Sequence, residues 1–198
     1  MSDLRGQQLK DSYQDVVTRG TGNKLENGNG VEFIDLDDKA SLSGNTVQVH
    51  NVMKTDTYSE SVDPRPSTTS DIPGLSVTIS PKFSDSKMII NAHIVVSGNA
   101  RIGFQIYRDG SQVALPDSFG NRQAVVSNTQ LPAPDRGGPL SGLIEDFPET
   151  TNEITYTLRL THLSGDGIEI FVNRGEDDGN SDGRYRGIST LTVTEVAP

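Results

Sequence analysis

Apolar and polar residues alternate along most of this chain, and the alternation is cleanest in its closing third. In Ile154-Thr-Tyr-Thr-Leu-Arg-Leu-Thr-His162, Ile154, Tyr156, Leu158 and Leu160 take one side while Thr155, Thr157, Arg159 and Thr161 take the other. A period of two sends successive side chains to opposite faces of a strand, so the run predicts a sheet with one buried face and one wet face. Ile168-Glu-Ile-Phe-Val-Asn173 and Arg184-Tyr-Arg-Gly-Ile-Ser-Thr-Leu-Thr-Val-Thr-Glu-Val196 follow the same rule. Within the second run, Phe171 faces away from Ile168, Ile170 and Val172.

The pattern recurs upstream. Thr46-Val-Gln-Val-His-Asn-Val-Met53 sets Val47, Val49 and Met53 on one face, and Leu75, Val77 and Ile79 make a strand closed by Pro81. Met88 to Val96 is the most apolar run and predicts a central strand with Met88, Ile90, Ala92, Ile94 and Val96 inward. Ile102, Phe104 and Ile106 lead into Asp109-Gly110, a two-residue hairpin turn, with Val113 and Leu115 on the return strand. Further short strands are predicted at Ala124 to Val126 and Leu140 to Phe147. The polar stretch Ser59 to Ser70, with Pro64 and Pro66, and the Pro/Gly-rich stretch Leu131 to Gly138 read as surface loops. Roughly eight to ten short strands separated by turn signals fit an antiparallel β-sandwich or jelly roll.

The first 45 or so residues differ in character. Asp3 is placed to cap a short helix over Gln7 to Thr18, whose apolar stripe is Leu9, Tyr13, Val16 and Val17, with Gly20 and Gly22 ending it. A turn at Asn27-Gly-Asn-Gly30 precedes a small strand from Val31 to Leu36, with Val31, Phe33 and Asp35 on one face. Such a segment is too small for its own core, so residues 1–45 read as an attachment element and 46–198 as the main domain.

Composition narrows the function. A hydrophobic fraction of 32%, with 20 Gly and 10 Pro, suits many short strands and argues against a helical bundle. A formal charge of −10 disfavours a nucleic-acid partner, because phosphate binding needs a basic surface. The chain has no cysteine, which removes disulfides, thiol nucleophiles and cysteine-ligated zinc and fits folding in a reducing cytoplasm. The first ten residues carry no apolar core of a secretory signal, and no apolar run nears the length of about 20 residues that spans a bilayer. No membrane insertion is expected.

Candidate chemistry is sparse. Asp178, Asn180 and Asp182 alternate ahead of Gly183, as a calcium loop begins, but the twelfth position is Ser189 rather than a bidentate Glu. A solvated acidic loop is the simpler reading of residues 175–183. His50, His93 and His162 are the only histidines; none pairs at a ligand spacing, though one from each chain could meet on a symmetry axis. Asp117, Glu145 and Asp146 could supply a glycosidase pair, yet nothing in the sequence brings two of them to one cleft. No nucleophile elbow or phosphate loop is present. The expectation is a protein without catalytic residues, metal or cofactor.

Several segments carry a resemblance. "DIPGLSVTISPKFSDSKMIINAHI" (71–94), "GFQIYRDGSQV" (103–113), "IEIFVNRG" (168–175) and "RGISTLTVTEV" (186–196) resemble a module at the C-terminal ends of tailed-bacteriophage fibre and virion-surface proteins. "LKDSYQDVVTRGTGNKLENGNGVEFIDLDD" (9–38) is similar to the N-terminal attachment segments of such fibres. The resemblance implies an antiparallel jelly-roll head of the tumour-necrosis-factor/C1q type, assembled as a homotrimer and mounted on a capsid or tail through the N-terminal segment. It implies a non-enzymatic virion structural protein, made in the host cytoplasm and displayed on the virion surface.

On that view Leu9, Tyr13, Val16, Val17 and Phe33 face the virion. Of the off-pattern aromatics Tyr107, Phe119, Phe147, Phe171 and Tyr185, the trimer contact falls to Phe171 first, with Tyr185 and Tyr107. Loops carrying Arg65, Asp117, Asn121, Asp135 and Arg136 would touch a host glycan or protein. The chain lacks the shaft of a long fibre, so a capsid decoration or cement protein is the rival, and a lectin-like module the second.

Overall fold

The computed structural model describes residues 18–19, 24–26, 32–35, 43–62, 67–117, 120–164 and 168–198. The expected helix lies outside them except for Thr18, which is in a strand, and so do Leu9, Tyr13, Val16, Val17, Arg65 and Phe119. The chain divides into two units, residues 1–45 with 197–198, and residues 46–196.

The first unit holds a three-stranded antiparallel sheet of β1 (Thr18–Arg19), β2 (Lys24–Glu26) and β3 (Glu32–Asp35), with β2 in the middle. Phe33 lies on β3. Within this unit the Gly44 N–H donates to the Ala197 carbonyl and the Ala197 N–H to the Asn45 carbonyl, both at 2.9 Å.

The second unit is a two-sheet sandwich. Its strands are β4 (Thr46–Lys54), β5 (Tyr58–Val62), β6 (Ser67–Thr68), β7 (Ser76–Ile79), β8 (Lys87–Gly98), β9 (Arg101–Arg108) and β10 (Ser111–Val113). They continue with β11 (Ser127–Gln130), β12 (Ala133–Asp146), β13 (Ile154–Ser164), β14 (Ile168–Val172) and β15 (Ser189–Val196). Every pairing is antiparallel, and no helix occurs among the described residues.

Several short strands share one column of a sheet end to end. On one side of β8 runs β12; on the other lie β15 and then β14, backed by β4 and β5. On one side of β9 runs β13, backed by β7 and β6; on the other lie β10 and β11. Counted as columns in chain order, sheet I reads 1-8-3-6 and sheet II reads 2-7-4-5. That is the double Greek key of an eight-column jelly roll.

The alternation explains the core. Met88, Ile90, Ala92, Ile94 and Val96 of β8 face Ile102, Phe104 and Ile106 of β9 and Ile154, Tyr156, Leu158 and Leu160 of β13 within one buried cluster. Burying each of the larger side chains stabilises the fold by about 1.5–3 kcal/mol. Asp109 and Gly110 both have positive φ, at 49° and 81°, as the two-residue turn between Arg108 and Ser111 requires.

Three expectations need correction. Leu131 to Gly138 is not a loop throughout, because β12 begins at Ala133 and pairs with β8 on both sides of a bulge, where its register shifts between Ala133 and Gly137. Pro134 and Pro139 are tolerated there because β12 is an edge column and needs no donor on its free side. The strand expected at Ala124 to Val126 starts instead at Ser127. Ser59 to Ser70 contains β5 and β6, both edge strands, where polar residues lose little by facing water.

Candidate docking face

The two sheets have unlike outer faces. On sheet I, strand register aligns Met53, Thr190, His93 and Ser141 in one row, then Asn51, Thr192, Asn91 and Leu143, then Val49, Thr194, Ile89 and Glu145. These are the residues between the inward Ile90, Ala92, Leu191 and Val193, so they point out of the sandwich. Six large hydrophobic side chains are exposed among the described residues. Val49, Met53, Leu143, Phe147 and Ile188 fall on or at the rim of this face; only Leu115, after β10, lies elsewhere.

Charge is nearly absent from these rows. Where the four columns run side by side, Lys87 and Glu145 are the charged residues that point outward, and they pair with each other at 2.9 Å, while Asp146 and Glu195 point inward. Strand β4 is turned inside out to make this surface. Its inward series includes Gln48, which donates to Glu195 Oε2 and to the Ser80 carbonyl, while Val49 and Met53 face outward.

The outer face of sheet II is polar. Ser76, Thr78, Thr155, Thr157, Arg159 and Thr161 line it, and Thr78 and Thr155 share a hydroxyl hydrogen bond at 2.9 Å. Residues 120–126 fold back over one side as a strap. Gln105 and Gln112 both donate to the Ala124 carbonyl, at 2.8 and 3.0 Å, and the Val126 N–H donates to the Phe104 carbonyl. A Cβ on Gly103 would sit 2.7 Å from Val125, so glycine is what admits the strap. Beside it lies an open cleft of about 650 Å³.

Of the aromatics assigned to a trimer contact, Phe171 is buried within the chain, and Tyr107 and Tyr185 are half-buried. Phe171 does face away from Ile170 and Val172, but it is 2% exposed and the Arg174 guanidinium sits 4.6 Å from its ring centre. Tyr107 carries the Arg159 guanidinium at 3.9 Å. Tyr185 packs its hydroxyl onto Gly137, where that oxygen has no hydrogen-bond partner among the described residues. On Phe171 and Tyr107 an arginine from another strand or turn supplies part of that cover.

The acidic loop is closed by arginines rather than arranged for an ion. Arg174 and Arg186 form an isolated bridge at its neck. Asp178 pairs with Arg186 at 2.5 Å, and Arg184 holds both Asp177 and Asp135. The Gly179 N–H, donating at 2.9 Å, and then Arg184 hold the Asp177 carboxyl below the usual carboxylate range. Asn180 and Asp182 are exposed, and no metal-holding cluster of His, Cys, Asp and Glu occurs among the described residues.

The other candidates are dispersed. Glu145 and Asp146 are neighbours on β12 and point to opposite faces, Glu145 to Lys87 and Asp146 inward to Arg108 and Tyr156. Asp117 is exposed after β10, so the three carboxylates share no cleft. His93 contacts Ser141 on the outer face at 2.9 Å, His50 is exposed, and His162 is buried. Asp135 and Arg136 are exposed in the β12 bulge rather than in a loop, and Asn121 is exposed in the strap, where it lines the open cleft.

No family model and no curated protein matches the chain. Among solved structures it is similar to the chain of T=1 particles derived from infectious bursal virus. That match has 16% identity and a TM-score of 0.41, covering 91% of this chain and 44% of that one. The VP2 subviral particle of infectious bursal disease virus gives 15% identity and a TM-score of 0.40, covering 91% and 47%. The virus structure of its Gx strain gives 19% and 0.39, covering 76% and 37%. The chain spans less than half the length of each, and superpositions this loose carry no argument about function.

Proposed function

We propose that this protein is a non-enzymatic structural component of a virion surface, and that copies of it associate through the outer face of sheet I. One observation carries the self-association: five of the exposed large hydrophobic side chains gather on or at the rim of one outer face that is almost free of charge, on a chain of net charge −10. Four columns spaced about 4.8 Å apart, each about eight residues long, give a face on the order of 500 Å². Exposed hydrophobic side chains gathered on one face of that size, among uncharged polar residues, mark it as an interaction site rather than as ordinary surface. Like-charged chains repel wherever their carboxylates meet, so a second copy is best accommodated where none are displayed.

The virion assignment rests on the sequence resemblance to phage fibre and virion-surface proteins, and a jelly roll is a fold that capsid and lectin domains use. The resemblance also suggests three copies in a closed ring, with residues 1–45, Phe33 of β3 among them, as the attachment segment. Closed symmetry satisfies each face once and stops growth. Three copies on one head would strengthen weak contacts with a host surface by avidity.

A cement protein is the second reading, favoured by the absence of a shaft between residues 45 and 46. Removing the protein from particles that carry it separates the two. Loss of adsorption with heat stability intact supports the appendage; loss of particle integrity with adsorption intact supports the cement. Particles unchanged in both respects would overturn the virion role.

A further inference from the structure

Three Asp-Gly pairs lie among the described residues, Asp109-Gly110, Asp178-Gly179 and Asp182-Gly183, and their surroundings differ. Such a pair can rearrange without an enzyme, because glycine leaves its own amide nitrogen unshielded beside the preceding side chain. We propose that Asp182 is a site of spontaneous isomerisation to isoaspartate, and that the other two pairs are held against the reaction by their contacts.

The reaction needs only water besides the two residues. The Gly183 nitrogen attacks the protonated carboxyl carbon of Asp182, an N–C bond forms, and the amide proton leaves with the carboxyl hydroxyl as water. Water then reopens the five-membered imide. Addition at the side-chain carbonyl restores aspartate. Addition at the backbone carbonyl routes the main chain through the side-chain methylene and gives isoaspartate, with the mass unchanged. The backbone is then one atom longer just ahead of Arg184, whose guanidinium holds both Asp177 and Asp135.

Geometry selects Asp182. It is exposed, and neither its carboxylate nor the Gly183 N–H has a partner among the described residues. The pair forms the middle of a turn that the Arg184 N–H closes on the Ser181 carbonyl at 3.2 Å, with Gly183 at a φ of 91°. A Cβ on Gly183 would meet no atom within 4 Å, so the imide has room. Asp178, by contrast, gives both oxygens to Arg186, at 2.5 and 2.7 Å, and the Gly179 N–H already donates to Asp177 Oδ1 at 2.9 Å. Asp109 Oδ1 accepts the Thr155 N–H at 2.9 Å, and the Asp109 N–H donates to the Thr155 carbonyl at 3.0 Å. Asn180 could form the same imide with loss of ammonia, but the Ser181 nitrogen it needs donates to the Gly179 carbonyl at 3.0 Å. A group held by such a partner must give up that contact before it reacts.

The test is to age the full chain at mildly acidic pH, both folded and in guanidinium chloride, and to locate isoaspartate in its tryptic peptides by electron-transfer fragmentation. In the folded chain isoaspartate should build up at Asp182 well ahead of Asp109 and Asp178, and unfolding should abolish that order. Asp182→Glu should lose the product, because the longer side chain would have to close a six-membered ring. Its melting temperature should match that of wild type, since the Asp182 side chain is exposed. Isoaspartate at Asp109 or Asp178 as early as at Asp182 in the folded chain, none at Asp182 once the unfolded chain has converted, the same order in the unfolded chain, or an equal yield from Asp182→Glu would each overturn the proposal.

Discussion

The Ser189 hydroxyl donates to Asn173 Oδ1 at 2.6 Å, joining the end of one strand to the start of the next in the same column of sheet I. Asn173 Nδ2 completes the junction by donating to the carbonyls of Lys54 and Asp56, both at 2.9 Å, where β4 gives way to β5. One buried side chain therefore closes two breaks in neighbouring columns. Its φ of 63° is a left-handed conformation that asparagine tolerates better than alanine. Asn173→Ala should cost about 3 kcal/mol in urea unfolding, through lost hydrogen bonds, unpaired buried carbonyls and backbone strain. Asn173→Gly removes the strain alone and should recover part of that loss. Equal stability of wild type and Asn173→Ala would contradict the assignment.

Glu195 is fully buried yet meets no cation among the described residues. Its carboxylate accepts from Ser86 Oγ at 2.6 Å, from the Lys82 and Phe83 N–H groups at 2.7 and 3.3 Å, and from Gln48 Nε2 at 2.5 Å. A neutral carboxamide would turn a donor toward groups that are themselves donors. Glu195→Gln is expected to lower stability by roughly 1–3 kcal/mol, measured by chemical denaturation, although the two side chains are nearly isosteric. A neutral result would show that the turn at 82–86 does not depend on the charge.

Tyr156, Asp146 and Arg108 link the sheets. Asp146 Oδ2 accepts from the Tyr156 hydroxyl at 2.7 Å and from Arg108 Nη1 at 2.6 Å. Burial, and then the Asp146 carboxylate, push the Tyr156 phenol well above its ordinary value. A group whose folded pKa is raised favours folding below its unfolded pKa and loses that contribution as pH rises toward the folded one. Stability should therefore fall as pH climbs past about 10, the ordinary tyrosine value. Tyr156→Phe should be less stable at neutral pH and show a shallower alkaline decline. An identical alkaline slope in the variant would refute the linkage.

Asp177 behaves in the opposite sense. Its lowered carboxyl pKa stabilises the loop between Arg174 and Arg186 above the ordinary carboxylate range, and that contribution fades as pH falls through the folded value. Hydrogen exchange at the Gly179 amide should quicken as pH drops below about 4, beyond the intrinsic trend for an unstructured amide. Asp177→Asn should show fast exchange at neutral pH as well. Unchanged protection in Asp177→Asn would mean the loop is held by other contacts.

The β13 alternation was readable because that strand sits inside sheet II with one face fully covered, so each apolar residue had to point inward. Strand β4 shows where such reading stops. Alternation sets Val49 and Met53 on one face, but only the pairing of β4 with Leu191 and Val193 of β15 reveals that it is the outer one. The ring of Phe171 was correctly turned away from the core; its cover, Arg174, lies three residues on and reaches it only after the chain leaves the strand. The Pro/Gly content of Leu131 to Gly138 hid the start of β12 because edge position, which excuses a proline, is a tertiary property. The cleft draws residues from β9, the strap, β11 and β13, and no local spacing could gather them.

The outer face of sheet I is most directly tested by the solution mass of the full chain, measured by sedimentation velocity across a concentration series. Wild type should sediment as a closed oligomer, with three copies the expected number. Met53→Asp with Leu143→Asp should sediment as a monomer with its melting temperature no more than slightly reduced, because both side chains are exposed in the single chain. A wild-type protein that stays monomeric at high concentration, or a double variant that keeps the wild-type mass, would contradict the docking face.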